Sequence, residues 1–391
     1  MPSSDVTDDR RALTFAAYAS FVPIGIATVL LGPMLPTLSD RWSLNYSQAG
    51  ALFPVQYVAA TSAVALSGVL SSRWGFRFPI KTGLVLITAG LALLLSGPRW
   101  LAMICIATYG FGLGLAVPPA NLLVAGANPG RRSSTLNLLN FFWSAGAVAC
   151  PFLVAAAAKR GHISLFLAIV AGFSLLIALG IAAMPRHITE PAVARDSADI
   201  VPIIHTKLTP FLLLAGLFFL YVGAENSFGQ WIASYSKSLG SLSLATAVMT
   251  PSFFYASLML GRWIATLILH AISDVALARL GLVLACAGMA GLVFSHALPG
   301  IITSACTAGL GLSSVYPITI AILSREFPSP RIGSLMFTLS NIGGGLFPWL
   351  VGVSSTRFNT LQAGLLVPLI LCAAMFALYL RHWTHKSEPS A

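Results

Sequence analysis

The sequence predicts an all-α membrane protein of twelve transmembrane helices arranged as two six-helix bundles. Three observations carry that prediction. Apolar residues make up 57% of the 391-residue chain and charged residues only 8%, with a mean hydropathy of +0.85. Soluble domains carry about 25% charged residues, so only lipid would cover a surface this apolar. The apolar residues fall in runs near the length of about 20 that a bilayer requires. Finally, the second half of the chain repeats motifs of the first.

Spans are expected near 12–38, 47–70, 80–97, 100–127, 135–158 and 163–184, and then near 209–233, 245–270, 275–295, 299–323, 333–355 and 362–383. The first follows Asp5, Asp8, Asp9, Arg10 and Arg11, and its apolar run is longer than a signal-peptide core, so an uncleaved span is expected. Gly and Pro inside these runs are ordinary for membrane helices, whose neighbours satisfy the freed backbone groups. One polar stretch, "PRHITEPAVARDSADIVPIIHTK" at 185–207, reads as a linker between bundles 1–184 and 208–391. With the N-terminus inside, sixteen of the 22 Lys and Arg fall on the inner side, and only Arg41, Arg99, Lys159, Arg160, Lys237 and Arg357 fall outside. That bias satisfies the positive-inside rule and puts both termini in the cytoplasm, with the chain in the inner or plasma membrane.

The repeats set the architecture. "GLGLAVPPANLL" at 112–123 returns 197 residues later as "GLGLSSVYPITI". "RRSSTLNLLNFFWSAGAVACP" at 131–151 returns as "PRIGSLMFTLSNIGGGLFP" at 330–348, with Asn140 and Asn341 201 residues apart. Two parallel six-helix repeats imply a pseudo-two-fold along the membrane normal and a solute site near the midplane.

Several function classes are excluded at this level. The net charge of +11 is scattered through short loops, with no Lys/Arg run to track phosphates, so no nucleic-acid partner is expected. The five cysteines stand alone in apolar stretches and the seven histidines lie in loops or at segment ends. No metal site, disulfide or cofactor is therefore expected. An intramembrane enzyme would need a nucleophile–base pair or metal ligands at depth, and the sequence places neither there.

The chain resembles the major facilitator superfamily along nearly its whole length. The family's motif between the second and third spans runs G-x-x-x-D-R-x-G-R-R, and here reads "GVLSSRWGFR". Gly68, Arg73, Gly75 and Arg77 match, which implies a gating or conformational role for them, while Ser72 replaces the Asp of the family's usual latch. "GRWIA" at 261–265 is a worn counterpart. The second half looks most like the fucose–galactose–glucose:proton symporter group, through "FLYVGAENSFGQWIASY" (219–235), "GLGLSSVYPITIAILSREFP" (309–328) and "GGGLFPWLVGVSSTRFNTLQAGLLVPL" (343–369). That group often carries Glu before Ala-Ala-Asn in the fourth span; here Val117-Pro118-Pro119-Ala120-Asn121 lacks the acid. The resemblance implies a monomeric secondary active or facilitative carrier, working by alternating access on a small neutral polar solute such as a monosaccharide. Its partners are that solute, the lipid bilayer and, where transport is coupled, protons. The alternatives are a proton-coupled multidrug or organic-solute exporter on the same fold and a receptor that does not transport.

Of eleven acidic residues, only Glu225 lies deep in an apolar segment. An ionisable group there costs about 2.5–3.5 kcal/mol or more and is a functional-site candidate by default. Glu225 reads as a proton-coupling acid, as a ligand for two sugar hydroxyls, or as a paired or protonated packing group. No basic residue is expected at mid-span in either half, which favours a titrating or ligand-binding acid. Sugar sites pair amides and carboxylates with aromatic faces. The seventh span supplies Asn226, Gln230 and Trp231 beside Glu225, with Asn226 and Gln230 on one helical face. The fifth supplies Asn137, Asn140 and Trp143 on one stripe. Asn121, Gln56, Tyr57, Tyr316 and Asn341 complete the candidate set, each also readable as interhelical glue. Trp349 is set aside for an interface belt.

Overall fold

In a computed structural model of the chain, residues 4–128, 132–184, 207–268, 272–327 and 330–382 are described. The linker expected at 185–207 lies, up to residue 206, outside them. The described residues form fifteen α-helices and no strand: α1 (Ser4–Val29), α2 (Leu31–Trp42), α3 (Tyr46–Gly50), α4 (Leu52–Trp74), α5 (Arg77–Leu93), α6 (Arg99–Ala127), α7 (Arg132–Lys159), α8 (Ile163–Ala183), α9 (Leu208–Ser238), α10 (Leu244–Ile268), α11 (Asp274–Phe294), α12 (Leu298–Leu312), α13 (Val315–Glu326), α14 (Pro330–Arg357) and α15 (Leu361–His382). Among the described residues, eleven stretches are long and apolar enough to cross a membrane. The remaining expected span, near 80–97, falls on α5, only 17 residues long.

Three of the expected spans are each built from two helices, and one cause accounts for all three breaks. Pro33, Pro54 and Pro317 each follow a break within a few residues. Proline has no N–H to donate, and its ring clashes with the carbonyl four residues earlier. Those carbonyls belong to Val29, the last residue of α1, to Gly50, the last of α3, and to Ser313, directly after α12. Short polar side chains take up the slack. Asn45 and Gln48 form a capping box at the start of α3, and Ser313 Oγ donates to the Leu310 carbonyl at 2.6 Å. The span expected at 299–323 is thus α12 plus α13, opened at Ser313 and Ser314.

Contacts gather the residues into two compact units, Met1–Leu31 with Val55–Ala194, and Gly32–Pro54 with Arg195–Ala391. In the first, α5 packs on α6 so closely that a Cβ built on Gly83 would lie 2.5 Å from the Gly112 carbonyl oxygen. In the second, a Cβ on Gly281 of α11 would lie 2.5 Å from the Gly311 carbonyl oxygen of α12. The same correspondence joins Gly146 against the Val22 carbonyl and Gly343 against the Phe219 carbonyl. Helices in lipid associate through such close backbone approach rather than through a hydrophobic drive. A third repeat underlies the first pair and adds to the two motifs above: "GLVLITAG" at 83–90 and "GLVLACAG" at 281–288. Residues of α2, α3 and the start of α4 belong to the second unit. There the Ser47 amide donates to Thr356 Oγ1 at 2.8 Å, and Lys237 pairs with Asp40.

Gly281→Leu should therefore be destabilising by about 1–3 kcal/mol through overpacking, seen as a lower melting temperature of the purified protein. Gly180→Leu, where nothing lies within 4 Å of the added Cβ, should leave the melting temperature unchanged.

Candidate functional site

Glu225 sits midway along α9, and the four-residue step of the helix puts Tyr221 on the same face one turn away. Glu225 stays partly exposed while its neighbours Gly223, Ala224, Asn226 and Ser227 are buried. Tyr221 is held on two sides. Its ring stacks on Tyr316 of α13, with centroids 4.9 Å apart and planes 23° apart, and its hydroxyl donates to the Leu312 carbonyl at 3.1 Å. That carbonyl is the last of α12, at the break ahead of Pro317. The charges of Glu225 and of Arg262 of α10 both act on that hydroxyl.

Arg262 stands in the last turn of the membrane-length stretch Leu244–Ala265, away from mid-span, and its charge acts on Glu225. The reach of an arginine stem explains this, helped by its neighbour Gly261: a Cβ there would run into the Ser313 side chain, so α10 approaches the break closely. The sequence signal was the Gly before Arg in "GRWIA", read above only as a worn loop motif.

On the adjoining stripe of α9, Asn226 is 9% exposed and Gln230 is fully buried. Neither amide atom of Gln230 has a hydrogen-bond partner, and the same holds for Ser227 Oγ. Gly32 of α2 faces Gln230, whose Oε1 would lie 2.6 Å from a Cβ at that position. Trp231 is 1% exposed and donates its indole N–H to the Pro348 carbonyl at 2.9 Å. Tyr46 and Phe53 pack against its ring. Asn341 is half-buried on α14.

The candidates of the first unit form a separate group. Thr28, at the end of α1, is its centre. Gln56 Nε2 donates to the Thr28 carbonyl at 3.3 Å, and Tyr109 donates its hydroxyl proton to Gln56 Oε1 at 3.4 Å. Trp143 Nε1 donates to Thr28 Oγ1 at 3.4 Å. Tyr57 is buried beside Gln56 in sequence. Asn121 and Asn140 donate to carbonyls one turn back on their own helices, at 2.9 Å and 3.0 Å. Those bonds leave their amide oxygens free to accept. Asn137 and Asn140 are exposed on α7.

In the conformational motif, Gly75 turns the chain at φ +77°. Arg77 Nη2 donates to the carbonyls of Ile181 and Met184, at 2.8 Å and 2.7 Å, closing the end of α8. Arg73 is exposed, and a Cβ at Gly68 would meet open space. Arg279, not singled out from sequence, does the equivalent work in the second unit by donating to the Tyr379 carbonyl at 2.8 Å.

The family described as Major Facilitator Superfamily matches residues 17–348. Protein TsgA of Shigella dysenteriae serotype 1 (strain Sd197) is 25% identical over 387 residues, covering 95% of this chain and 94% of its own. The crystal structure of the nucleoside transporter NupG, 14% identical, superposes with a TM-score of 0.76 over 95% of this chain and 99% of that one. That of the E. coli fucose:proton symporter, 19% identical, gives 0.64 over 94% and 97%.

The Trp231 bond allows a direct check. Trp231→Phe keeps most of the ring packing but removes the indole donor to a carbonyl inside α14, so it should lower stability by about 0.5–1.5 kcal/mol. A melting temperature equal to wild type would show that the bond contributes nothing.

Proposed function

The chain belongs to the major facilitator superfamily and is an integral membrane transporter, and we propose that it carries a small neutral polar solute of the monosaccharide class by alternating access. The observation that carries the reading is Glu225, a partly exposed carboxylate in the middle of α9 with Asn226 and Gln230 on the adjoining stripe. A carboxylate accepts hydrogen bonds from two adjacent hydroxyls, and an amide both donates and accepts. The unpartnered amide of Gln230 adds capacity that no protein group uses. The stacked pair Tyr221–Tyr316 supplies an aromatic wall. Similarity to a fucose:proton symporter and a nucleoside transporter supports a hydroxyl-bearing solute.

In this reading Glu225 is a solute ligand and Asn226, Gln230 and Asn341 are its partners, while Asn137, Asn140 and Asn121 are the candidate amides of the first unit. Both termini lie in the cytoplasm and the chain acts as a monomer in the inner membrane. Flux in this reading follows the solute's own gradient.

The test is uptake of labelled glucose, galactose and fucose into proteoliposomes, with and without an inward proton gradient. Wild type should equilibrate at least one sugar regardless of gradient. Glu225→Gln should lose about 10- to 100-fold in apparent affinity, the equivalent of a charged hydrogen bond. Concentration of sugar on a gradient by wild type alone, with the mutant still exchanging it, would make Glu225 the coupling acid instead. Movement of no sugar would overturn the solute class and leave the proton-coupled exporter of organic solutes in its place.

A further inference from the structure

The cations at the turn between α4 and α5 take no part in the solute contacts proposed above. From Arg41 to Thr189 the chain carries ten Lys and Arg and no Asp or Glu. Three of the ten, Arg73, Arg77 and Lys81, stand at that turn within nine residues. Gly75 makes the turn at φ +77°, and Arg77 pins it by donating to the Ile181 and Met184 carbonyls at 2.8 Å and 2.7 Å. Arg73 is exposed. Trp74, the last residue of the membrane-length stretch Tyr46–Trp74, is 59% exposed. Its ring rests against Phe78, with centroids 4.7 Å apart. The Lys81 ammonium lies over that Phe78 ring, 5.5 Å from its centroid. Two cations and an exposed indole thus share one turn at the end of a span.

The second unit treats its cations differently. A shift of 198 residues, which lays "GLVLITAG" on "GLVLACAG", also lays Lys81 on Arg279 and Phe76 on Asp274. Asp274 pairs with Arg325. Lys207 lies over the Phe327 ring much as Lys81 lies over Phe78, 5.7 Å from the centroid, and has Glu326 Oε2 3.0 Å from its Nζ. The second unit therefore brings carboxylates of its own to these positions. In the first, among the described residues, no carboxylate pairs with Arg73 or Lys81, and Ser72 beside Arg73 is neutral and exposed.

We propose that the turn between α4 and α5 binds the phosphate headgroup of an anionic lipid, with Arg73 and Lys81 as its charge partners and Trp74 against the base of the acyl chains. Charge complementarity calls for an anion from outside the chain, because the chain supplies none here. The place and the indole select a lipid over a free phosphate. Trp side chains settle at the headgroup level of a bilayer, and basic clusters beside a span attract anionic headgroups. A small soluble anion would gain nothing from the exposed ring. The site is separate from Glu225 and does not depend on which solute the protein carries.

The test titrates the purified full-length protein in detergent with phosphatidylglycerol or with phosphatidylcholine of the same acyl chains, and reads retained lipid by native mass spectrometry. Wild type should hold phosphatidylglycerol about tenfold or more the tighter of the two. Arg73→Gln and Lys81→Gln should each weaken phosphatidylglycerol about fivefold, the equivalent of about 1 kcal/mol per cation. Ser72→Asp, at an exposed position, should weaken it too by placing a carboxylate beside Arg73, whereas Ser72→Asn should not. Trp74→Ala should weaken both lipids. Arg160→Gln makes the same change in net charge at the exposed turn after α7 and should match wild type. Equal retention of the two lipids by wild type would overturn the proposal. So would an Arg160→Gln variant as weak as Arg73→Gln, since net charge alone would then be at work. Displacement of the lipid by inorganic phosphate at the same concentration would overturn it as well, by marking a site for a free anion. If the Gln variants do not fold, the two Ser72 variants decide alone: equal retention of phosphatidylglycerol by both overturns it.

Discussion

The Tyr221 hydroxyl donates to the Leu312 carbonyl over 3.1 Å, and the polar interior of the second unit is arranged around that bond. The carbonyl is on offer because α12 ends at Leu312, and the last carbonyls of a helix have no partner within it. An unpaired carbonyl in a membrane interior costs several kcal/mol, so a donor must come from another helix. Tyr221 meets that need, and its ring is then fixed against Tyr316. The acid one turn along α9 inherits a defined position. One helix break thus leads, through a freed backbone group, to the placement of a charge.

Close backbone contacts supply the rigidity this needs. Gly83 on Gly112 in one unit and Gly281 on Gly311 in the other bring helices together at distances no side chain allows. The second contact lies next to the α12–α13 break, so the carbonyl that receives Tyr221 sits on a helix already seated against α11. Arg77 and Arg279 close helix ends in their own units with charged hydrogen bonds, which are among the stronger kinds. Their work is structural in this conformation.

Polar side chains in the two units divide by whether they are satisfied. Gln56 and Trp143 are tied to Thr28, and Trp231 to Pro348; these hold helices together. Gln230 and Ser227 are buried with nothing to bond, at a cost of about 1–3 kcal/mol for each such group. A carrier can recover that cost when a solute or water meets the amide. The contrast separates bonded braces from unpartnered groups better than residue type does, since all of these side chains looked alike as amides, hydroxyls and indoles in apolar segments.

Composition and run length were enough to establish the membrane class and the helical spans, because the bilayer imposes one length and one polarity on every crossing segment. The family was legible in the "GVLSSRWGFR" motif, and the prominence of Glu225 followed from its isolation among apolar residues. The split of three spans at Pro33, Pro54 and Pro317 was less legible, since Pro23, Pro151, Pro348 and Pro368 sit inside unbroken helices. Neighbouring contacts decide which freed carbonyl finds a partner. Arg262 is the clearest case of what sequence withheld: its position suggested a helix end, and the length of its stem together with the gap left by Gly261 carried its charge to Glu225. The sequence by itself determined which segments cross the membrane and which acid is out of place there. Tertiary structure alone decided that acid's partners, because the carbonyl, phenol and guanidinium around it come from residues 221, 262 and 312, which only helix packing brings together.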